Sequence, residues 1–312
     1  MRKVLKLAVL LLAAIAVIYG VFDFFFPLRF TEAALNAERS AAGLQRKEAD
    51  IPGFHIVYLE GGQGRPLLLL HGFGADKDNW TRVSRTLTPR FHVYAVDLPG
   101  FGESTKPSPD QSRIEDQVGY VGQIAAALGL QHFDLGGSSM GGWIAGAYAA
   151  AHPDQVDSLW LLAPAGVSTA QDSDLIKIVK SGGRVPLIAQ TPQEYEELMD
   201  FVFVHPPYVP HAVVTALAQH AVESYAFNKQ VFGVLAKDAP LELQVKNLAT
   251  PTLIVWGDHD RALHYSGAEV LHQLMPNSQV IIVPDMGHLP MLEAPAQSAA
   301  DYIKFRDSLT SR

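Results

Sequence analysis

Short apolar runs recur along most of this chain, and segments with helical spacing lie between them. FHIVYLE, PLLLLHG, FHVYAVD, HFDLGG, SLWLLAPA, TLIVWGD and QVIIVPD have strand length. Most of them are apolar without a break, the pattern of strands covered on both faces. SRIEDQVGYVGQIAAALGL and the segment after Ser139 carry helical periodicity. Strands that alternate with helices imply a mostly parallel sheet with helices on both sides. In such sheets chemistry gathers at the carboxyl ends of the strands. A chain of 312 residues, 48% of them hydrophobic, is long enough for one such α/β domain with an insertion.

The alternation breaks once. After LLAPAG at 161–166 no strand pattern returns until PTLIVWGD at 251. The intervening stretch reads as helical. TPQE at 191–194 has the form of a capping box, with Thr191 as N-cap, Pro192 at the first helical position and Glu194 at the third. HPPYVP interrupts the chain, and HAVVTALAQHAVESYAF resumes a helix. Residues 167–245 are therefore expected to form a helical insertion over the strand ends. Its apolar residues, among them Leu187, Phe201, Val202, Phe203, Val213 and Phe227, suit either a small core of its own or an apolar ligand.

At the carboxyl end of the HFDLGG strand stand two adjacent serines in GGSSMGG. A serine exposed on a sharp turn from strand to helix needs very small neighbours, and the pattern that provides them is G-x-S-x-G. Gly137-Ser138-Ser139-Met140-Gly141 satisfies it with Ser139 at the centre; Ser138 at the centre would require glycine where Met140 stands. Ser139 is the candidate nucleophile. A serine hydroxyl needs a base. Of the twelve histidines, His288 lies just past the last strand pattern, in VPDMGHLPMLEAP. The base needs a carboxylate to hold its tautomer, and WGDHD offers Asp258 and Asp260. The order Ser, Asp, His is the one expected for this sheet architecture. The developing oxyanion needs fixed donors; the backbone N–H of Met140 and that of Phe73, in the loop after PLLLLHGFG, are the candidates. His71 in that loop reads as structural.

HGFG at 71–74, DLPGFGES at 97–104, GSSMGG at 137–142, WGDHD at 256–260 and GH at 287–288 together resemble the α/β-hydrolase superfamily, over roughly residues 43–308. The resemblance implies an α/β-hydrolase fold: a mostly parallel eight-stranded sheet, core segments 43–166 and 246–312, and a helical lid at 167–245. It places the acid at Asp260, with Asp258 in reserve. LLAPAGV, TPQE and WGDHDRALHYSGAEVL look like the branch of membrane-anchored monoacylglycerol lipases and bacterial lipases or phospholipases A. What this implies is hydrolysis of acyl glycerolipids, with no cofactor and no metal, by Ser139, Asp260 and His288 over an oxyanion hole of Phe73 and Met140. A carbon–carbon bond hydrolase or short-chain esterase with the same triad is the nearest competitor. A non-catalytic binding module is the competitor from a different class, and the complete triad argues against it.

Arg2, Lys3 and Lys6 precede an apolar run from Leu7 to Phe26, interrupted only at Asp23. About 20 apolar residues span a bilayer core. The bulky YGVFDFFFPLRF at its carboxyl end is a poor cleavage site, which favours an uncleaved anchor at 1–27 over a signal peptide. The basic amino end should stay in the cytoplasm; in a bacterium the rest would lie in the periplasm on the inner membrane. Residues 28–42 read as a juxtamembrane linker helix that lies on the membrane, packs on a partner chain or acts as a spacer. A net charge of −8 argues against nucleic acid. The absence of cysteine excludes a thiol nucleophile and a disulfide scaffold. The expected partners are a lipid or acyl-ester substrate and the membrane; a homodimer is left open.

Overall fold

The structure, a computed structural model, describes residues 27–310 together with Lys6, Val9, Gly20 and Phe24. Among the described residues no helix is long and apolar enough to cross a membrane. The anchor expected over residues 1–27 falls almost wholly outside them.

Eight strands form one sheet: β1 (Leu44–Ile51), β2 (Phe54–Gly61), β3 (Arg65–Leu70), β4 (Phe91–Val96), β5 (Phe133–Ser138), β6 (Val156–Leu162), β7 (Thr252–Gly257) and β8 (Ser278–Val283). Their order is β1-β2-β4-β3-β5-β6-β7-β8. The first two ladders are antiparallel and the others parallel. The apolar runs bury both faces, as continuous hydrophobicity requires. In β3, Leu68 and Leu70 join the core on one face with Val96, Leu135 and Ile254. Leu67 and Leu69 join the other with Val93, Trp160 and Val255.

α1 (Pro27–Ala41) precedes the sheet; α2 (Thr81–Leu87), α3 (Ile114–Ala127) and α4 (Met140–Ala151) follow β3, β4 and β5. The insertion carries α5 (Asp174–Lys180), α6 (Pro192–Val202), α7 (His211–Glu223), α8 (Tyr225–Leu235) and α9 (Leu241–Gln244). The chain closes with α10 (Ser266–Leu274), α11 (Pro290–Glu293) and α12 (Pro295–Thr310). Val121 and Ile144 from α3 and α4 pack on one face. Val83 and Leu87 of α2 and Tyr302 and Phe305 of α12 pack on the other.

Three local features differ from the sequence reading. β1 is not among the apolar runs, because LQRKEADI buries only its two ends against the sheet; a charged edge strand has no hydrophobic signature and is protected from edge pairing by those charges. The expected linker helix is one helix, α1, and it packs on α7 of its own chain. The cap of α6 is shifted: Thr191 Oγ1 accepts from the Glu194 amide at 3.2 Å, but Glu194 Oε2 reaches back to the Gln190 amide at 2.7 Å instead of closing on Thr191.

The chain moves from β3 outward to β4 and then returns to place β5 on the opposite side of β3. At such a switch the loops after the two central strands diverge and leave a crevice. Those loops are His71–Gly74 after β3 and the Ser139 turn after β5.

Candidate active site

Ser139 links β5 directly to α4, and it has φ 54° and ψ −119°. A side-chain-bearing residue avoids this region unless its surroundings impose it. Here they do. The Ser139 amide donates to Leu162 O at 3.0 Å, and its carbonyl accepts from Trp143 at 3.0 Å and Ala165 at 2.9 Å. The flanking glycines are obligatory for contact reasons. A Cβ on Gly137 would lie 2.2 Å from the carbonyl oxygen of Gly141, and one on Gly141 would lie 2.3 Å from that of Leu70. The turn therefore closes only with glycine at both positions. Ser138 belongs to the strand and is fully buried, and its hydroxyl has no hydrogen-bond partner among the described residues. Ser139 instead lines a cavity.

Asp260 and His288 arrive from the loops after β7 and β8. His288 Nδ1 and Asp260 Oδ2 are 2.7 Å apart. That oxygen also accepts from Trp256 Nε1 at 3.0 Å, and Oδ1 accepts from the amides of Ala262 and Leu263 at 2.8 and 2.9 Å. Both oxygens of Asp260 are thus held in place by hydrogen bonds. With Nδ1 engaged by Asp260, the other ring nitrogen of His288 is Nε2. Asp258 is bonded to His259 Nδ1 at 2.6 Å and is not the partner of His288.

The loop that carries His288 is fixed from two directions. Its amide donates to Val202 O at 2.8 Å. Glu293 Oε1 accepts from Gly287 at 2.9 Å, while Oε2 accepts from Val204 and His205 at 3.1 and 2.8 Å. One carboxylate thus ties the histidine loop to the chain leaving α6. Burial pushes the Glu293 carboxyl up, against the three amides that pull it down. The sequence reading missed Glu293 and Trp256; both sit inside motifs quoted for their neighbours.

His71 is fully buried, with Nδ1 2.7 Å from Gly72 O and Nε2 accepting from the Leu98 amide at 3.0 Å. Both ring nitrogens are spent on backbone, as a structural role requires, and burial pushes its pKa down. The ring anchors the loop that presents Phe73. The Phe73 amide and the Met140 amide, which is the first N–H of α4, make no hydrogen bond among the described residues. A helix-terminal N–H has no intrahelical acceptor.

Ser139, Phe73 and His288 line one cavity of about 240 Å³. Its walls are mostly apolar and come from the insertion through Leu187, Met199, Val202, Phe203 and Val213, and from α1 through Leu35. The remaining apolar residues of the insertion are divided. Leu175 and Phe201 pack with Ala262, from the loop after β7, in a small separate core, and Val231 belongs to the main core. Asp76, Tyr195 and Asn228 also line the cavity. Burial pushes the Asp76 carboxyl up to about 7, and the nearby charges of Asp78 and Asp97 add to this. No group of acidic and histidine residues able to hold a metal ion occurs among the described residues.

Residues 65–185 and 208–295 match the family described as the alpha/beta hydrolase fold. The chain is 36% identical over 286 residues to Lipase 3 of Moraxella sp. (strain TA144), covering 89% of this chain and 90% of that protein. It is 32% identical over 263 residues to monoacylglycerol lipase ABHD6 of Homo sapiens, covering 79% and 78%. The crystal structure of a membrane phospholipase A, described as a bacterial virulence factor, superposes with a TM-score of 0.90 and 42% identity, covering 100% of both chains.

Proposed function

We propose, since this chain belongs to the α/β-hydrolase family and is a hydrolase of that type, that it cleaves acyl esters of glycerolipids through an acyl-enzyme on Ser139. The observation that carries this reading is the junction of two features on one apolar cavity: Ser139 at φ 54° and the His288–Asp260 contact at 2.7 Å. The relatives named as lipases and the neighbour named as a phospholipase A support lipid esters as the class.

The steps follow from the groups. Ser139 Oγ attacks the ester carbonyl carbon while His288 Nε2 takes its proton. The carbonyl electrons move onto oxygen, and the Met140 and Phe73 amides receive that charge. Asp260 stabilises the imidazolium without taking its proton. Collapse of the intermediate expels the alcohol, which leaves with the proton from His288. Water then attacks the acyl-enzyme with His288 again as base, and the fatty acid and free Ser139 are released.

Residues 1–27 act in this reading as the membrane anchor, α1 as its link to the core, and residues 167–245 as the lid. In a bacterium the catalytic part lies on the periplasmic side of the inner membrane. The test is hydrolysis of monoacylglycerol, lysophospholipid, diacyl phospholipid and short soluble esters by the full-length chain in detergent. Lipid hydrolysis should fall by about 10⁴-fold or more in Ser139→Ala. Activity confined to short soluble esters, or a Ser139→Ala variant near wild type, overturns the reading.

A further inference from the structure

Ser139 and His288 are supported by different parts of the chain. The backbone bonds of Ser139 go to Leu162, Trp143 and Ala165, all outside the insertion, and Met140 beside it belongs to the main core. The loops that carry Asp260 and His288 also pack on the insertion. Phe201, Val202 and Phe203, at the end of α6, share a small core with Ala262 from the Asp260 loop, and Leu289, which follows His288, packs against it. The approach is close. A Cβ on Gly287 would lie 2.6 Å from the Val202 carbonyl oxygen and 3.0 Å from the Val204 nitrogen. Glycine at 287 lets the two backbones meet, and Val202 O accepts from the His288 amide at 2.8 Å. Glu293 completes the junction, since one of its oxygens accepts from Gly287 and the other from Val204 and His205.

The same end of α6 is a wall of the cavity. Leu198, Met199, Val202 and Phe203 line it, and Leu289 and Leu292 line it from beyond His288. An apolar wall gains dispersion contacts only when atoms fill the space in front of it. An acyl chain long enough to reach α6 supplies those contacts, and a short chain leaves them unmade. Filling therefore favours the arrangement of α6 that fits the chain, and the His288 amide is bonded to the last residue of that helix. Binding energy from a remote part of a substrate, when used to orient reacting groups, appears in kcat and not only in KM.

We propose that an acyl chain on the α6 wall sets the position of His288 through the Val202–His288 hydrogen bond and the Glu293 bridge, so that chain length is read in kcat. Glu293 does not line the cavity. It is a positioning residue that joins the wall facing the chain to the loop of the base. This coupling rests on the acyl-ester reading given above and adds to it how chain length acts on the rate.

The experiment uses the full-length chain in detergent with p-nitrophenyl butyrate and p-nitrophenyl dodecanoate. The two esters release the same phenol and differ only in the acyl chain. The readout is the ratio of kcat, dodecanoate to butyrate, which cancels differences in folded fraction, with the ratio of KM beside it. Wild type should give a kcat ratio of about ten or more. Glu293→Gln should bring that ratio to within roughly threefold of unity and leave the KM ratio unchanged, because the chain still binds but no longer steadies the base. Met199→Ala keeps the bridge and removes part of the wall, and should lower the kcat ratio by about threefold. A wild type with kcat no higher on dodecanoate than on butyrate overturns the coupling while the acyl-ester reading stands. So does a kcat ratio unmoved by Glu293→Gln, the mark of a brace that is only structural, or unmoved by Met199→Ala, which decides the matter if the first variant does not fold. A wild type that cleaves the butyrate but not the dodecanoate overturns the lipid reading and the coupling with it.

Discussion

The two walls of the cavity are built in opposite ways. The sheet side is saturated with hydrogen bonds: Asp260 accepts from His288, Trp256, Ala262 and Leu263, His71 spends both ring nitrogens on backbone, and Glu293 gathers three amides. The helical side, from α1, α6, α7 and α8, is mostly apolar. Reacting groups must be held within a fraction of an ångström to act, so their wall must be over-determined. A wall that receives acyl chains needs apolar area and a few groups that bond only when occupied. In the proposed reading the contrast separates the chemistry, held by the sheet, from selection, left to the helices above it.

The contrast predicts large catalytic effects on the first wall and graded effects on the second. The largest should come from Asp260→Asn. It keeps the shape but turns His288 to the wrong tautomer, so kcat should fall by about 10⁴-fold. A loss below tenfold in steady-state kinetics would show that Asp260 does not orient the base.

Glu293→Gln should come next. The new amide nitrogen faces backbone N–H groups that the carboxylate accepted, so the His288 loop loosens. We expect kcat to drop roughly tenfold with KM little changed, because bonds to a charged group are worth about 1.5–3 kcal/mol. A change in KM alone would assign Glu293 to the substrate wall.

Asp76→Asn should change stability in a pH-dependent way. In the folded chain the carboxyl keeps its proton up to about pH 7, while in the unfolded chain it loses it near 3.8. Between those values the folded state binds more protons, so this group's contribution to stability falls as pH rises. The cause is burial beside Asp78 and Asp97, opposed by Lys77 and the Asp78 amide. The variant should melt higher than wild type by about 2 °C or more at pH 8, and the gain should vanish at pH 4. An equal gain at both pH values would place the effect elsewhere than in the proton. The smallest change is expected for Asp258→Asn, whose exposed contact with His259 lies outside the cavity. Its kcat should stay within about twofold, the scale of an exposed pair.

The sheet was legible wherever a strand is covered on both faces, because burial leaves a continuous apolar run. PLLLLHG and TLIVWGD become β3 and β7 almost residue for residue. β1 was not legible, since an edge strand needs no apolar run. Ser139 was legible because the turn demands glycine at Gly137 and Gly141. His288 and Asp260 could be narrowed by their place after successive strands, although the choice between Asp258 and Asp260 required the family resemblance. Glu293 was not legible. Its role depends on distances between segments far apart in the chain, and a single polar residue in a helix carries no periodic signal. The packing of α1 on α7 was hidden for the same reason.

The most direct test of the account is to locate the nucleophile. The full-length chain would be incubated with a long-chain phosphonate ester, which mimics the tetrahedral acyl intermediate and stays attached. Peptide mass spectrometry would then identify the modified residue. The account predicts one adduct, on Ser139, absent in Ser139→Ala and slowed severely in His288→Ala. An adduct on Ser138, or labelling that survives in Ser139→Ala, would contradict it.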